Sequence, residues 1–148
     1  MQTKTEIIYN PIIQGPLPVT KLLTLNNGFC YGAEVTFTGK VRPDIKADSK
    51  VTAIEFEVHY KLVIKEIENI IAECKKKFGI INAGVWHSTG KVSAGETCFF
   101  VKVESQHRKE SFKGLQYIVD EVKKRCPIFG KEILKNGEYV WKENTSLK

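Results

Sequence analysis

The sequence of 148 residues contains 23 lysines and arginines against 17 aspartates and glutamates, which gives a formal net charge of +6 and a pI near 9.1. This length predicts one domain over residues 1–148, long enough to bury a core without disulfides or metals. No stretch approaches the roughly 20 apolar residues of a membrane span, and no signal peptide is apparent. We therefore expect a cytoplasmic protein with no membrane partner.

The basic charge fits nucleic acid, small anionic ligands or an acidic protein, and charge alone does not choose among these partners. No known nucleic-acid-binding module is present, and most aromatic residues follow core periods, which argues against nucleic acid. The four cysteines lie far apart without a Cys-x-x-Cys pair, so we expect free thiols and no metal site. They are Cys30, Cys74, Cys98 and Cys126.

Alternation of apolar and polar residues predicts the main strands. Residues 33–41 alternate clearly, with Phe37 on one face and Lys40 on the other. Gly39 inside this strand predicts either a bulge or a close approach of the backbone to another group. The dipeptide Asn136-Gly137 predicts a hairpin between two short strands. In chain order, the predicted strands cover residues 5–9 (a short edge strand), 33–41, 51–60, 80–89, 96–104, 132–134 and 139–141.

Turn residues and prolines mark the loops. Prolines make residues 10–20 a loop, which ends in a short helical turn at Val19-Thr20, and Asn27-Gly28 predicts a turn. Polar residues 43–50 predict a mobile loop, either an ordinary hairpin connection or a flap over a site. The tail, residues 144–148, is expected to fray.

Helical periods predict two main helices. The first covers residues 62–78 and stops at Gly79, and the second ends before Pro127. In the second, Lys123 falls at the edge of the apolar stripe and Lys124 nearly opposite it. The stripe comprises Phe112, Leu115, Ile118, Val119 and Val122. Two helices and mostly hairpin-connected strands, without βαβ alternation, predict an α+β fold with a mostly antiparallel sheet.

Several motifs surround the second helix. His107-Arg108 is followed sixteen residues later by Lys123, then by the run RCPIF at 125–129 and by Lys131-Glu132. Upstream lies TFTGKVR at 36–42. Together these motifs resemble the large, catalytic subunit of molybdopterin synthase. The likeness continues at His59-Tyr60, His87, Gly90, Gly95, Glu96, Gly137 and Trp141.

This resemblance implies a sulfurtransferase with an α/β-hammerhead-like form of the α+β fold. Such an enzyme makes molybdopterin from cyclic pyranopterin monophosphate, in molybdenum cofactor biosynthesis. Its sulfur comes from the C-terminal thiocarboxylate of a small ubiquitin-like subunit. Because the sulfur nucleophile arrives on the partner, the chain needs preorganised cations but no activated cysteine or serine, and no cofactor of its own is implied.

The resemblance also assigns roles to single residues. Lys123 would be the catalytic cation beside the partner's terminal acyl group, and Phe37 would form an apolar pocket wall. Gly130 stands where the family has a lysine, and Lys131 is expected to take over that lysine's catalytic work. The implied substrate-binding residues are Lys40, Val41, Arg42, His107, Arg108, Lys123, Gly130, Lys131 and Glu132.

The spacing of two of these residues predicts a dimer. His107 and Lys123 are sixteen residues apart on one predicted helix, roughly 24 Å, yet the resemblance assigns both to one pocket. Either the helix breaks near Gly114, or a second copy supplies His107 and Arg108. The continuous apolar stripe favours a two-fold homodimer with shared sites, which would form a heterotetramer with its small subunits.

Two non-enzymatic alternatives are weighed against this function. One is a divergent relative that docks the small subunit without catalysis. The other is a basic RNA-binding domain, whose affinity for arbitrary RNA would fall linearly with salt on a logarithmic scale. The presence of Arg42, His107, Arg108 and Lys123 favours the enzyme.

Overall fold

The computed structural model describes residues 10–25 and 31–142. The predicted α+β class is confirmed, with a mostly antiparallel sheet and a short helix in addition to two long ones. The strands are β1 (Ile12–Gln14), β2 (Ala33–Lys40), β3 (Ile45–Lys46), β4 (Ser49–Val58), β5 (Asn82–Ser93), β6 (Thr97–Ser105), β7 (Ile128–Leu134) and β8 (Tyr139–Trp141), and the helices are α1 (Val19–Leu23), α2 (Tyr60–Phe78) and α3 (Arg108–Arg125). The predicted strand at 5–9, the turn at Asn27-Gly28 and the frayed tail at 144–148 lie outside the described residues.

The described strands follow the order β2-β6-β5-β4-β7-β8, and neighbours in this order are antiparallel. β1 runs parallel to β5, and β3 pairs with β4. Along β5, residues 82–87 pair with β6, residues 87–89 pair with β1 and residues 90–93 pair with β4. Gly90, with a φ of 78°, begins the part that pairs with β4. His87 therefore lies next to the point where β5 changes partner.

Helices α2 and α3 pack against each other and against one face of the sheet. As predicted, α2 ends at Gly79, whose φ of 68° gives a left-handed cap. Its buried residues recur at three- and four-residue steps: Val63, Ile67, Ile70 and Cys74. A smaller core, formed by Ile13, Leu17, Leu22, Trp86 and Phe100, joins β1 and α1 to the sheet. None of the described helices is both long and apolar enough to span a membrane.

Helix α3 is unbroken, and the face that it buries differs from the predicted stripe. Phe112, predicted to be buried, is 59% exposed, whereas Ser111 and Gly114 are buried. A Cβ added to Gly114 would lie only 2.8 Å from Cδ1 of Ile80. These small residues let the helix backbone approach its neighbours closely, and Phe112 consequently points to solvent. The prediction for Phe112 is wrong, and the later part of the stripe is confirmed.

Two segments predicted as loops contain strands. β1 lies within residues 10–20, because Pro11 and Pro16 flank the strand instead of interrupting its pairing with β5. Residues 43–50 include a hairpin between β3 and β4, with Ala47 and Asp48 in the left-handed region at φ values of 47° and 58°. The mobility of that segment stays a prediction.

Candidate active site

A buried histidine forms the floor of the candidate site. The ring of His87 meets that of Phe56 edge-on, with 4.9 Å between centroids, and lies 5.5 Å from that of Phe99. Burial lowers the pKa of His87 to about 4, so its imidazole is neutral near pH 7. Nδ1 is 2.8 Å from the carbonyl oxygen of Ser88. Because a carbonyl only accepts hydrogen bonds, Nδ1 donates and Nε2 keeps its lone pair.

Two lysines approach this histidine from different elements. Lys123 belongs to the last turn of α3, and Lys142 directly follows β8. Burial is the largest cause of the lowered pKa of His87, and the positive charges of Lys142 and Lys123 lower that pKa further. Burial raises the pKa of the Cys98 thiol, while the same two lysines act to lower it. Because the effect of a charge falls with distance, both lysines lie within electrostatic range of His87 and Cys98.

The end of β2 adds an aromatic wall to the site. The ring of Phe37 packs edge-to-face on Phe99, with 5.5 Å between centroids. The predicted bulge is confirmed, because Gly39 pairs with Phe99 while Lys40 pairs with Thr97, two residues away. The shift leaves Cys98 unpaired, so the extra residue lies in β6 and β2 keeps its regular alternation. The predicted alternation is confirmed, because Lys40 lies on the exposed face of β2 with Thr36 and Thr38.

The two residues after β2 differ in their surroundings. Val41 is buried in the main core, and its N–H donates to the carbonyl of Glu96 at 3.0 Å. The side chain of Arg42 is 74% exposed and pairs with Asp44 at 3.1 Å. An exposed ion pair of this kind contributes only about 0–1 kcal/mol. Arg42 can therefore exchange Asp44 for an anionic ligand at little cost in stability.

Gly130 and Lys131 lie on opposite faces of β7. A Cβ added to Gly130 would lie 3.4 Å from the ring of Phe56, on the side of the buried histidine. The ammonium of Lys131 instead lies 4.8 Å from the ring centroid of Tyr139, on the outer face. Glu132 returns to the Gly130 face and is buried. The catalytic role of Lys131 stays a prediction, and its position is not the one that a lysine at 130 would have.

His107 and Arg108 lie far from Lys123 within one chain. They are at the start of α3 and Lys123 is in its last turn, sixteen residues on, which is roughly 24 Å along an unbroken helix. Strand β2 gives a second measure. Ala33 pairs next to the segment that leads into α3, and Lys40 is at the other end, roughly 23 Å away. One chain therefore does not bring all the predicted binding residues together.

The end of α3 that carries Lys123 is fixed to α2 by Arg125. Its Nε donates to Glu66 at 2.9 Å, and its Nη1 and Nη2 donate to Glu73 at 2.6 and 3.1 Å. Hydrogen bonds from Arg125 and then from Tyr117 lower the pKa of Glu73. A planar guanidinium held by two carboxylates sets the orientation of the last helical turn.

The cysteines in the described part of the chain do not have the properties of nucleophiles. Burial raises the pKa of Cys74 and of Cys126 to about 11, and it also raises the pKa of Cys98. A reactive thiol requires the opposite shift, because the thiolate is the nucleophile. The site therefore offers cations and aromatic surface to a ligand, while its nearest thiol stays protonated.

Sequence reasoning missed Lys142. Its backbone N–H donates to the carbonyl of Gly130 at 2.7 Å, so the β7–β8 hairpin places it opposite Gly130. The predicted turn at Asn136-Gly137 could have indicated Lys142, because the register of that hairpin determines which residue lies opposite Gly130. The local sequence around Lys142 gives no such indication.

The fold and the site together define an α+β protein in which lysines from separate elements lie near a neutral buried histidine and an aromatic wall. The family model described as MoaE protein matches residues 12–125. A relative from Pyrococcus abyssi, named molybdopterin synthase catalytic subunit, is 37% identical and aligns over 82% of this chain and 81% of its own length. The chain belongs to the MoaE family of molybdopterin synthase catalytic subunits.

Solved structures agree with this membership. Molybdopterin synthase from Staphylococcus aureus has a TM-score of 0.79 at 27% identity, covering 91% of this chain and 97% of that chain. A complex of subunits 1 and 2 of molybdopterin-converting factor from Helicobacter pylori has a TM-score of 0.75 at 23% identity, covering 93% and 92%. The second likeness supports the fold. The predicted family and fold class are thus confirmed.

Proposed function

We propose that this chain is a sulfurtransferase that converts cyclic pyranopterin monophosphate to molybdopterin, with sulfur from the thiocarboxylate of a small ubiquitin-like subunit. The observation that carries the proposal is the position of Lys123, in the last turn of α3 and close enough for its charge to act on the pKa of His87 and of Cys98. The relative from Pyrococcus abyssi is named for this activity. We also place the enzyme in the cytoplasm, where thiols such as Cys98 remain reduced.

The chemistry explains why cations are needed. When the thiocarboxylate sulfur attacks a side-chain carbon of the pterin, the oxygen on that carbon leaves, as water or as the phosphate oxygen. The resulting thioester joins the partner to the pterin until water cleaves the acyl–sulfur bond and returns the partner as a carboxylate. Hydrolysis places negative charge on the acyl oxygen, and the pterin carries a phosphate throughout. Fixed positive groups at those atoms lower the barrier without reorganisation. Lys123 is assigned to the acyl oxygen, and Lys40 and Arg42 to the substrate's anionic groups.

The site is completed by a second copy of the chain. His107 and Arg108 begin α3, whose free N–H groups favour anions, but the unbroken helix holds them roughly 24 Å from Lys123. The alternative of a helix break near Gly114 does not apply to this structure. A two-fold dimer would bring the start of one α3 toward the end of the other and create two equivalent sites.

The small subunit is expected to thread its extended C-terminal tail toward Lys123. The Helicobacter pylori structure, a complex of two subunits, supports a two-subunit assembly for this fold. Removing the last two residues of the tail should weaken binding and stop sulfur transfer, as measured by calorimetry and by dithiolene formation. Unchanged affinity would place the main contact elsewhere.

The deciding experiment incubates the purified chain with thiocarboxylated small subunit and cyclic pyranopterin monophosphate and assays for the dithiolene. The matched control uses the small subunit with an ordinary C-terminal carboxylate, which can bind but has no sulfur to give. Dithiolene formed only with the thiocarboxylate supports the proposal. Binding of the small subunit without dithiolene would identify a non-catalytic relative, and salt-dependent binding of arbitrary RNA would identify an RNA-binding domain.

A further inference from the structure

Lys142 emerges beside the position that a side chain at residue 130 would occupy. Its N–H donates to the carbonyl of Gly130 at 2.7 Å. A Cβ added to Gly130 would lie 3.6 Å from Cβ of Lys142, 3.1 Å from Ile54 and 3.4 Å from Phe56. Side chains at 130 and 142 therefore point to the same face of the β7–β8 hairpin.

This face is the one that carries the candidate site. The ring of Phe56, which lines the Gly130 position, is 4.9 Å from the ring of His87. The side chain of Phe56 therefore lies between the start of the Lys142 side chain and His87, which forms the floor of the site. On the opposite face, Lys131 stacks 4.8 Å from the ring of Tyr139 and 6.0 Å from that of Trp141. The hairpin therefore directs one lysine to each of its two faces.

Lys123 and Lys142 reach the site from different parts of the fold. Lys123 extends from the end of α3, and Lys142 extends from the strand end next to β7. Both charges act on the pKa of His87 and of Cys98, so both lysines lie within electrostatic range of the same buried pair. The substrate and the thiocarboxylate each bring a negative charge, so two cations from separate elements match the charge of the reacting pair.

We propose that Lys142 is a substrate-binding residue that supplies from the end of β8 the positive charge which Gly130 cannot supply from β7. This inference rests on the proposed function, and it names the second cation of the same site. It assigns to Lys142 the work that the sequence motif assigned to Lys131. Lys142 would contact an oxyanion of the bound pterin, opposite Lys123.

The test compares Lys142→Ala with Lys142→Arg, Lys131→Ala and the matched surface control Lys135→Ala. The affinity for cyclic pyranopterin monophosphate is measured by calorimetry without the small subunit, and sulfur transfer is measured with it. We expect Lys142→Ala to raise the Kd about tenfold, the effect of losing one hydrogen bond to a charged group. Lys142→Arg should restore most of the affinity, and Lys135→Ala should match the parent.

The outcomes separate this inference from the proposed function. If the parent makes dithiolene while Lys142→Ala retains parental Kd and rate, Lys142 has no role and the function stands. A tenfold effect of Lys131→Ala without one of Lys142→Ala would likewise overturn the inference. If the parent makes no dithiolene, the proposed function fails, and inorganic phosphate becomes the probe. Phosphate should then shift the imidazole NMR signals of His87 in the parent and Lys135→Ala but not in Lys142→Ala, and equal shifts in all three would refute the role of Lys142.

Discussion

Mixing two inactive variants tests whether the site is shared between chains. Lys123→Ala removes the cation at one end of α3, and His107→Ala/Arg108→Ala removes the groups at the other end, roughly 24 Å away. Each variant alone lacks one component of both sites in its homodimer, so neither should transfer sulfur. In a mixed two-fold dimer, one site carries all the substitutions and the other carries none.

This two-fold geometry determines how much sulfur-transfer activity the mixture should recover. Random exchange of subunits makes about half of the dimers mixed, and one of the two sites in each is intact, so about a quarter of the parental activity should return. Differently tagged chains verify the mixed dimer, and dithiolene formation with thiocarboxylated small subunit gives the rate. The matched control mixes Lys123→Ala with Lys123→Gln, a pair that leaves no site intact and should recover nothing.

The result that would refute the reasoning is a verified mixed dimer with no more activity than the two variant homodimers. Each chain would then build its own site from the end of α3 alone. His107 and Arg108 would need another role, because the unbroken helix keeps them away from Lys123.

Lys123→Ala should lower sulfur transfer by about a hundredfold or more with its Tm unchanged, whereas Lys124→Ala should change neither; equal rates would remove Lys123 from the chemistry. Folding lowers the pKa of His87 from 6.5 to about 4, so stability is full above pH 6.5 and falls by about 3 kcal/mol as the pH drops to 4. His87→Gln should flatten that part of a denaturation-versus-pH curve, and an unchanged slope would contradict the burial of the ring. Gly114→Ala adds a methyl 2.8 Å from a neighbouring isoleucine and should lose about 1–3 kcal/mol in urea denaturation, against less than about 0.5 for the exposed Lys113→Ala; parental stability would contradict the close packing of α3.

Much of the fold could be predicted because the elements concerned depend only on residues that are close in the sequence. The alternation in β2 and the helical period of α2 depend only on which face is buried, and Gly79 and Asn136-Gly137 have the backbone freedom that their turns require. β1 was missed because a strand of three residues between prolines depends on a partner, β5, that lies distant in the sequence.

The site could be predicted in part, for a related reason. Lys123 follows from the period of one helix, so its position at the edge of the buried face is a local property. The burial of Gly114 and the exposure of Phe112 depend on how closely α3 approaches α2 and the sheet, which the period does not reveal. Lys142 depends on the register of a hairpin and on the absence of a side chain at Gly130.

The hydrogen bonds from Arg125 to α2 affect whether the end of α3 is ordered before or after a ligand binds. Helix ends ordinarily fray, because the last turn lacks partners and opens independently of the rest of the fold. Here, opening the end of α3 would break the bonds from Arg125 to both Glu66 and Glu73 of α2. Backbone amides of that turn should therefore exchange with solvent more slowly than those of a helix end without such bonds. Lys123 is consequently in place before the ligand arrives, and little ordering is left for the binding step.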